Sequence, residues 1–372
     1  MNEKTSRNFT LLTMFILSLI SNTVAPLMTT IQDIFSITVA TSSMIPVMTT
    51  VGVLISNLSG SLLIAQLGLK TFLNISLIEA LIGSIIFLIS KNFTMVLIAV
   101  FFIGASTGSG FMSLSSITAH LSEKYKNFGT LNGFFGVGGI VAPFLAGIFI
   151  KNNINFRTIY ISYIVILIIM MFSLNTRKII KNIKYEPINI IEASTIISKK
   201  TVILPLLLFL LYSGTEISVI TWSGNFLNTE IGLTKSNSSI YLSIFWILFT
   251  FARFVTNYLN KKITSLKTIQ YFSILFIINL ILLLTTKNPI FFILIGLSFG
   301  PIFPSAQNYS SNILNGRELG LFNGLTFAAT GLGALIISPI MGIIGESNLY
   351  MSFSVPFLTF AIIVILTKIL HK

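Results

Sequence analysis

The sequence predicts an all-α, polytopic membrane protein with twelve transmembrane helices in two pseudo-symmetric six-helix bundles. Three observations predict it. Charge is scarce: 9% of the 372 residues are Asp, Glu, Lys or Arg, 54% are hydrophobic and the mean hydropathy is +0.92. A soluble domain carries about 25% charged residues. The charges punctuate apolar stretches of about 20 residues, the length that crosses a hydrocarbon core ~30 Å thick. Finally, the two halves repeat each other's small-residue signals at one offset.

Twelve candidate spans follow in order: 9–31, 39–64, 71–90, 94–119, 129–150, 157–175, 201–227, 238–260, 265–286, 289–314, 319–344 and 348–369. Only helices or closed barrels satisfy their backbone hydrogen bonds in lipid. The first span runs into the second without a small-residue cleavage site, which predicts a retained helix and not a signal peptide. The longest polar stretch, 176–200, holds six basic residues with Glu186, Pro187 and Glu192. It divides the chain into an N-terminal bundle (1–175), a cytoplasmic connector (176–200) and a C-terminal bundle (201–372), and part of it reads as an amphipathic helix on anionic lipid.

Net charge is +13. With the N-terminus in the cytoplasm, 17 of the 23 Lys and Arg fall inside; five fall outside (Lys91, Lys151, Arg157, Lys235, Lys287) and Arg253 lies within a span. This follows the positive-inside rule along the whole chain. The basic charge is therefore topological, which argues against a nucleic-acid partner and puts both termini in the cytoplasm of a cell-membrane protein. There is no Cys, so no disulfide, Cys-ligated metal or thiol nucleophile exists, and His120 and His371 have no metal-ligand spacing. No paired acids, Ser–His pair or phosphate loop occurs, so neither an enzyme nor a resident cofactor is expected.

The halves echo each other at an offset near 191 residues. Gly129-Thr-Leu-Asn132-Gly133 returns as Gly320-Leu-Phe-Asn323-Gly324. Each copy leads into glycines and a proline, Gly136-Val-Gly138-Gly139 to Pro143 and Gly331-Leu-Gly333 to Pro339. Lys70 and Lys261 close spans two and eight at the same offset. Duplication of this kind marks a two-half transporter. Small residues let helices approach and slide in lipid, and proline bends them. Gly138, Pro143, Gly333 and Pro339 are thus read as gating or hinge positions.

The chain resembles the major facilitator superfamily over essentially its whole length. The loop Ala65-Gln66-Leu-Gly68-Leu-Lys70 is similar to the family's loop signature, Gly68 and Lys70 matching while Ala65 and Gln66 replace its acid and arginine. The second-half copy, Ala252-Arg253, keeps the arginine and lacks the acid. The resemblance implies that Gly68, Lys70 and Arg253 serve the cytoplasmic gate, without the usual charge relay. Two finer likenesses diverge. Span five, Gly129 through Gly138 and Ala142-Pro143 to Ala146-Gly147, is similar to the antiporter signature of drug-efflux branches. Span seven, Leu211-Tyr212-Ser213-Gly214-Thr215-Glu216 then Thr221-Trp222, resembles the branch of fucose permeases and related sugar porters.

Glu216 lies about fifteen residues into span seven, roughly 20 Å deep at 1.5 Å per residue. A carboxylate there must be neutral, paired or in a wet cavity. Glu216 is therefore the candidate for proton coupling or substrate contact, with a structural carboxyl as the alternative. Ser213 and Ser223 share its face and extend a polar stripe. Asn22, near the counterpart of Ser213 in the repeat, and Asn132, Gln307 and Asn308 are candidates for the same pathway, though Ser and Asn also hold helices together. Trp222 suits stacking on a sugar ring or anchoring at the interface. Glu79, about 12 Å into span three, reads as a buried anchor bonded to span two.

The leading functional expectation is a monomeric secondary transporter working by alternating access, with membrane lipid among its partners. It is coupled to protons, with sodium the weaker alternative, and moves a small polar or amphipathic solute, sugar-like uptake being favoured. An efflux antiporter for drugs or metabolites and a non-transporting membrane sensor on the same fold stand as alternatives.

Overall fold

The computed structural model describes all residues except 1–2, 25–26, 38–40, 42–43, 152–153, 177–178, 185–189, 234, 315 and 372. The described residues form helices and no strand. Nine helices among them are long and apolar enough to cross a membrane, from Leu69–Leu88 to Leu349–Leu370. Helices Glu3–Thr23 with Met28–Phe35, Met44–Leu67 and Phe128–Lys151 occupy the other three expected positions, spans one, two and five. The chain is a multi-pass membrane protein.

Local chemistry explains the breaks. Span ten is two helices, Ile290–Phe299 and Ile302–Ile313, parted at Gly300-Pro301. Pro301 has no N–H to give the preceding turn, and its ring crowds the carbonyl four residues back. The connector contains one short helix, Ile190–Ile197. Helix Leu69–Leu88 starts directly after Gly68, so Lys70 opens span three instead of closing span two.

Contacts divide the chain into two units: residues 1–126 with 134–188, and residues 127–133 with 189–372. The start of span five is thus grouped with the second unit, while the same helix from Phe134 onward belongs to the first.

Lipid replaces water around these helices, so apolar side chains point outward as well as inward. Phe172 is 70% exposed and Ile343 71%. Within the first unit the interior includes Phe87 stacked on Tyr160, ring centroids 4.3 Å apart, and a hydrogen bond of 2.8 Å between Thr23 and the Tyr163 hydroxyl. Within the second unit Phe276, Phe299 and Phe360 form a ring cluster, and Phe245 stacks on Phe292 at 5.1 Å. Spans seven and eleven cross where Gly214 meets Gly333, and a Cβ on Gly333 would lie on the Leu210 carbonyl. Without a hydrophobic drive between helices, such close backbone approach supplies the packing.

Candidate functional site

The second unit assembles a charged cluster inside its helices. Glu216 sits mid-way along helix Lys200–Thr229 and Arg253 lies ten residues before the end of helix Lys235–Ile263. Arg253 Nη2 is 3.7 Å from Glu216 Oε1, with the two side chains 5% and 13% exposed. The Arg253 guanidinium lies 4.1 Å from the centre of the Phe249 ring, one turn earlier in its helix. Its Nη1 also donates to the Asn132 carbonyl at 3.4 Å. Tyr212 precedes Glu216 by one turn and its hydroxyl donates to the Phe299 carbonyl at 2.9 Å. Asn132 Nδ2 donates to Gln307 Oε1 at 2.7 Å and to the Phe128 carbonyl at 2.9 Å.

Four candidates named from sequence, Glu216, Arg253, Asn132 and Gln307, therefore form one connected set. A buried carboxylate can trade its guanidinium partner for a proton, which neutralises it, while the guanidinium keeps its contacts with the Asn132 carbonyl and the Phe249 ring. Sequence reasoning missed Tyr212 and Phe249. Their signal was helical spacing, i−4 from Glu216 and from Arg253 respectively.

Other candidates fall elsewhere in the second unit. Ser213 and Ser223 are buried on the Glu216 helix, and the Ser223 hydroxyl donates to the Ile220 carbonyl. Asn308 Nδ2 donates to Ser265 Oγ at 2.8 Å and so binds span ten to the start of span nine. Trp222 Nε1 donates to the Ser338 carbonyl at 3.2 Å. Trp222 and Pro339 both line an open cavity of about 1010 Å³ with Glu230, Lys287, Asn348 and Tyr350. Gly333 marks the seven–eleven crossing described above.

In the first unit, Asn22 Nδ2 donates to the Ser18 carbonyl at 2.8 Å, and Ser18 Oγ donates to the Phe135 carbonyl at 2.6 Å. A Cβ on Gly138 would collide with Ser18, so spans one and five touch at this point. The side chain of Pro143 lies outside the described residues. Glu79 Oε2 accepts from Ser109 Oγ at 2.6 Å. Its partner comes from span four, correcting the expected bond to span two. Asn57, buried in span two, has no hydrogen-bond partner for either side-chain atom among the described residues. Gly68 and Lys70 meet the connector through Asn182. No group of three or more His, Cys, Asp or Glu that would hold a metal occurs among the described residues.

A family model described as Major Facilitator Superfamily matches residues 10–299. Among curated relatives, the Protein TsgA homolog of Buchnera aphidicola is 26% identical over 250 residues, 64% of this chain and 61% of that relative. The Glucose/mannose transporter GlcP of Bacillus subtilis is 26% identical, covering 77% of this chain and 75% of its own. The Quinolone resistance protein NorA of Staphylococcus aureus is 26% identical over 83% and 82%. Among solved structures, FucP in its outward conformation superposes with a TM-score of 0.85 at 17% identity, covering 98% of each chain. A bacterial homologue of the iron transporter ferroportin, outward-facing, superposes at 0.78 with 10% identity over 97% of this chain and 98% of that one. At these identities the two structures bear on the fold alone.

Proposed function

The chain belongs to the Major Facilitator Superfamily, and on that premise we propose that this small-solute transporter is proton-coupled, with the Glu216–Arg253 pair as the coupling element. The observation that carries the reading is the pair itself, an acid and a base 3.7 Å apart and largely buried within apolar helices. Protonation of Glu216 cancels its charge and leaves Arg253 to the Asn132 carbonyl and the Phe249 ring. Loss of the proton restores the pair. A group that alternates between two partners in this way can bias an alternating-access cycle. The Lys and Arg bias supports a cell-membrane protein with both termini cytoplasmic.

The favoured cargo is a sugar-like solute taken up with the proton. Neutral hydrogen-bonding groups joined to the pair, Asn132 and Gln307, suit hydroxyl-rich solutes, and the relatives include a protein named for glucose and mannose. Efflux is the second reading. It rests on the span-five pattern from Gly129 to Gly147 and on the relatives named for quinolone resistance.

Proteoliposomes with an imposed pH gradient test both. Internal pH is followed while glucose, mannose, fucose or a fluoroquinolone is added. Sugar-dependent proton entry supports uptake, and fluoroquinolone-dependent proton exchange supports efflux. A Glu216→Gln variant that transports normally with unchanged pH dependence would eliminate the coupling role.

A further inference from the structure

The loop between spans two and three lacks the acid and arginine of the pattern it resembles, Ala65 and Gln66 standing in their places. The structure shows what holds it. Helix Leu69–Leu88 begins after Gly68, whose φ of 88° suits glycine, and Gly68 supplies no side-chain cap. The first amides of a helix have no partner within it and are normally capped by the residue just before. Here the cap comes from more than a hundred residues away. Leu69 N–H donates to the Ile183 carbonyl at 2.8 Å, and Lys70 N–H donates to Asn182 Oδ1 at 3.0 Å. The other half of the same amide, Asn182 Nδ2, donates back to the Leu67 carbonyl at 3.1 Å.

The Asn182 side chain therefore spans the last residue of span two and the first turn of span three. Its seat is tight: a Cβ on Gly68 would collide with the Asn182 amide group. A second anchor lies just before it, where the Ser6 hydroxyl donates to the Ile179 carbonyl, and Ile179 and Ile180 are buried. Farther along the connector, Lys199 pairs with Glu318 at 2.5 Å within the second unit. Among the described residues, the corresponding start of span nine shows no such strap. Thr264 precedes it with φ 70°, and the nearby bond comes from Asn308 to Ser265.

We infer that the connector segment 179–183 is a strap that caps span three in trans through Asn182, holding the span two–three loop by neutral hydrogen bonds where the resembled pattern uses charges. The connector is then part of the cytoplasmic loop machinery, and motion of one is transmitted to the other.

Amide hydrogen exchange on the full chain in phospholipid nanodiscs tests this. In the wild type, Leu69 and Lys70 are protected, and their protection is unchanged between low and high salt, since a neutral cap is not screened as a charge relay is. Asn182→Ala speeds exchange at both amides by about tenfold or more, the scale of a lost hydrogen bond, and speeds residues 179–184 with them while the rest of span three holds. Asn182→Asp keeps the acceptor for Lys70 N–H and keeps that amide slow. Gly68→Ala loosens the strap because its Cβ meets Asn182, and its φ of 88° strains the new side chain as well; the Asn182→Ala background relieves the clash alone and leaves the backbone cost. Wild-type exchange at Leu69 and Lys70 as fast as in a free loop, or an Asn182→Ala variant with unchanged protection, overturns the strap. If Asn182→Ala unfolds, Asn182→Asp decides it, with fast Lys70 exchange counting against.

Discussion

Arg253 faces Glu216 across the seventh and eighth spans at 3.7 Å, and the two side chains are nearly enclosed by protein. Removing one member of such a pair strands the other charge in a low-dielectric interior, which costs more than removing both. Arg253→Met is therefore expected to destabilise the protein by about 3 kcal/mol. The double variant Arg253→Met with Glu216→Leu should recover most of that loss. Thermal unfolding in one detergent, run as a double-mutant cycle, measures it. Additive losses would mean that the pair is not coupled.

Gly333 meets the Leu210 carbonyl at the crossing of spans seven and eleven. A side chain there must push backbone apart. Gly333→Val should lower stability by roughly 1–3 kcal/mol, the cost of overpacking, and stop transport. A fully active Gly333→Val protein would remove this crossing from the list of constrained contacts.

Glu79 is bonded to Ser109 within the first unit. Gln in place of Glu79 keeps an acceptor for that hydroxyl. Glu79→Gln is thus expected to transport with its pH dependence intact, in contrast to Glu216→Gln. Glu79→Leu removes the inter-helix bond and leaves the Ser109 hydroxyl to the Ala105 carbonyl at 2.9 Å, a loss of about 1 kcal/mol. Altered pH dependence in Glu79→Gln would move this carboxyl into the coupling machinery.

Asn132 and Gln307 satisfy each other at 2.7 Å while buried. Asn132→Leu removes the hydrogen bond that Gln307 Oε1 accepts from the Asn132 amide, at a cost of about 1 kcal/mol. Replacing both with leucine should cost less than the single change. Circular-dichroism melts of the three variants make the comparison.

Thr264 holds φ 70° and ψ 155°, a region that suits glycine and strains a β-branched residue. Thr264→Gly should raise stability by about 1 kcal/mol. A lower melting temperature in that variant would show that the Thr264 side chain contributes more than its backbone strain removes.

Solvent, span count and internal repeat were all legible in the amino-acid order. Span length is set by bilayer thickness, and charge is excluded from the hydrocarbon, so both leave a linear trace. The all-helical fold follows from the same cause. Glu216 and Arg253 stood out singly because each breaks that trace. What the order of residues did not contain was their meeting. Lipid-facing side chains are apolar like the buried ones, so the polar stripe of span seven marks a face without reporting which neighbour it meets. Tertiary packing, with close backbone approaches such as Gly300 on the Phe249 carbonyl and Gly83 on the Ala99 carbonyl, accompanies the meetings of Arg253 with Glu216, Gln307 with Asn132 and Ser109 with Glu79. The capping of Leu69 and Lys70 by Ile183 and Asn182 was equally unreadable, since a cap supplied from a distant segment has no local pattern. Local chemistry decided where the chain lies in the membrane, and tertiary packing decided which of its few polar groups share a site.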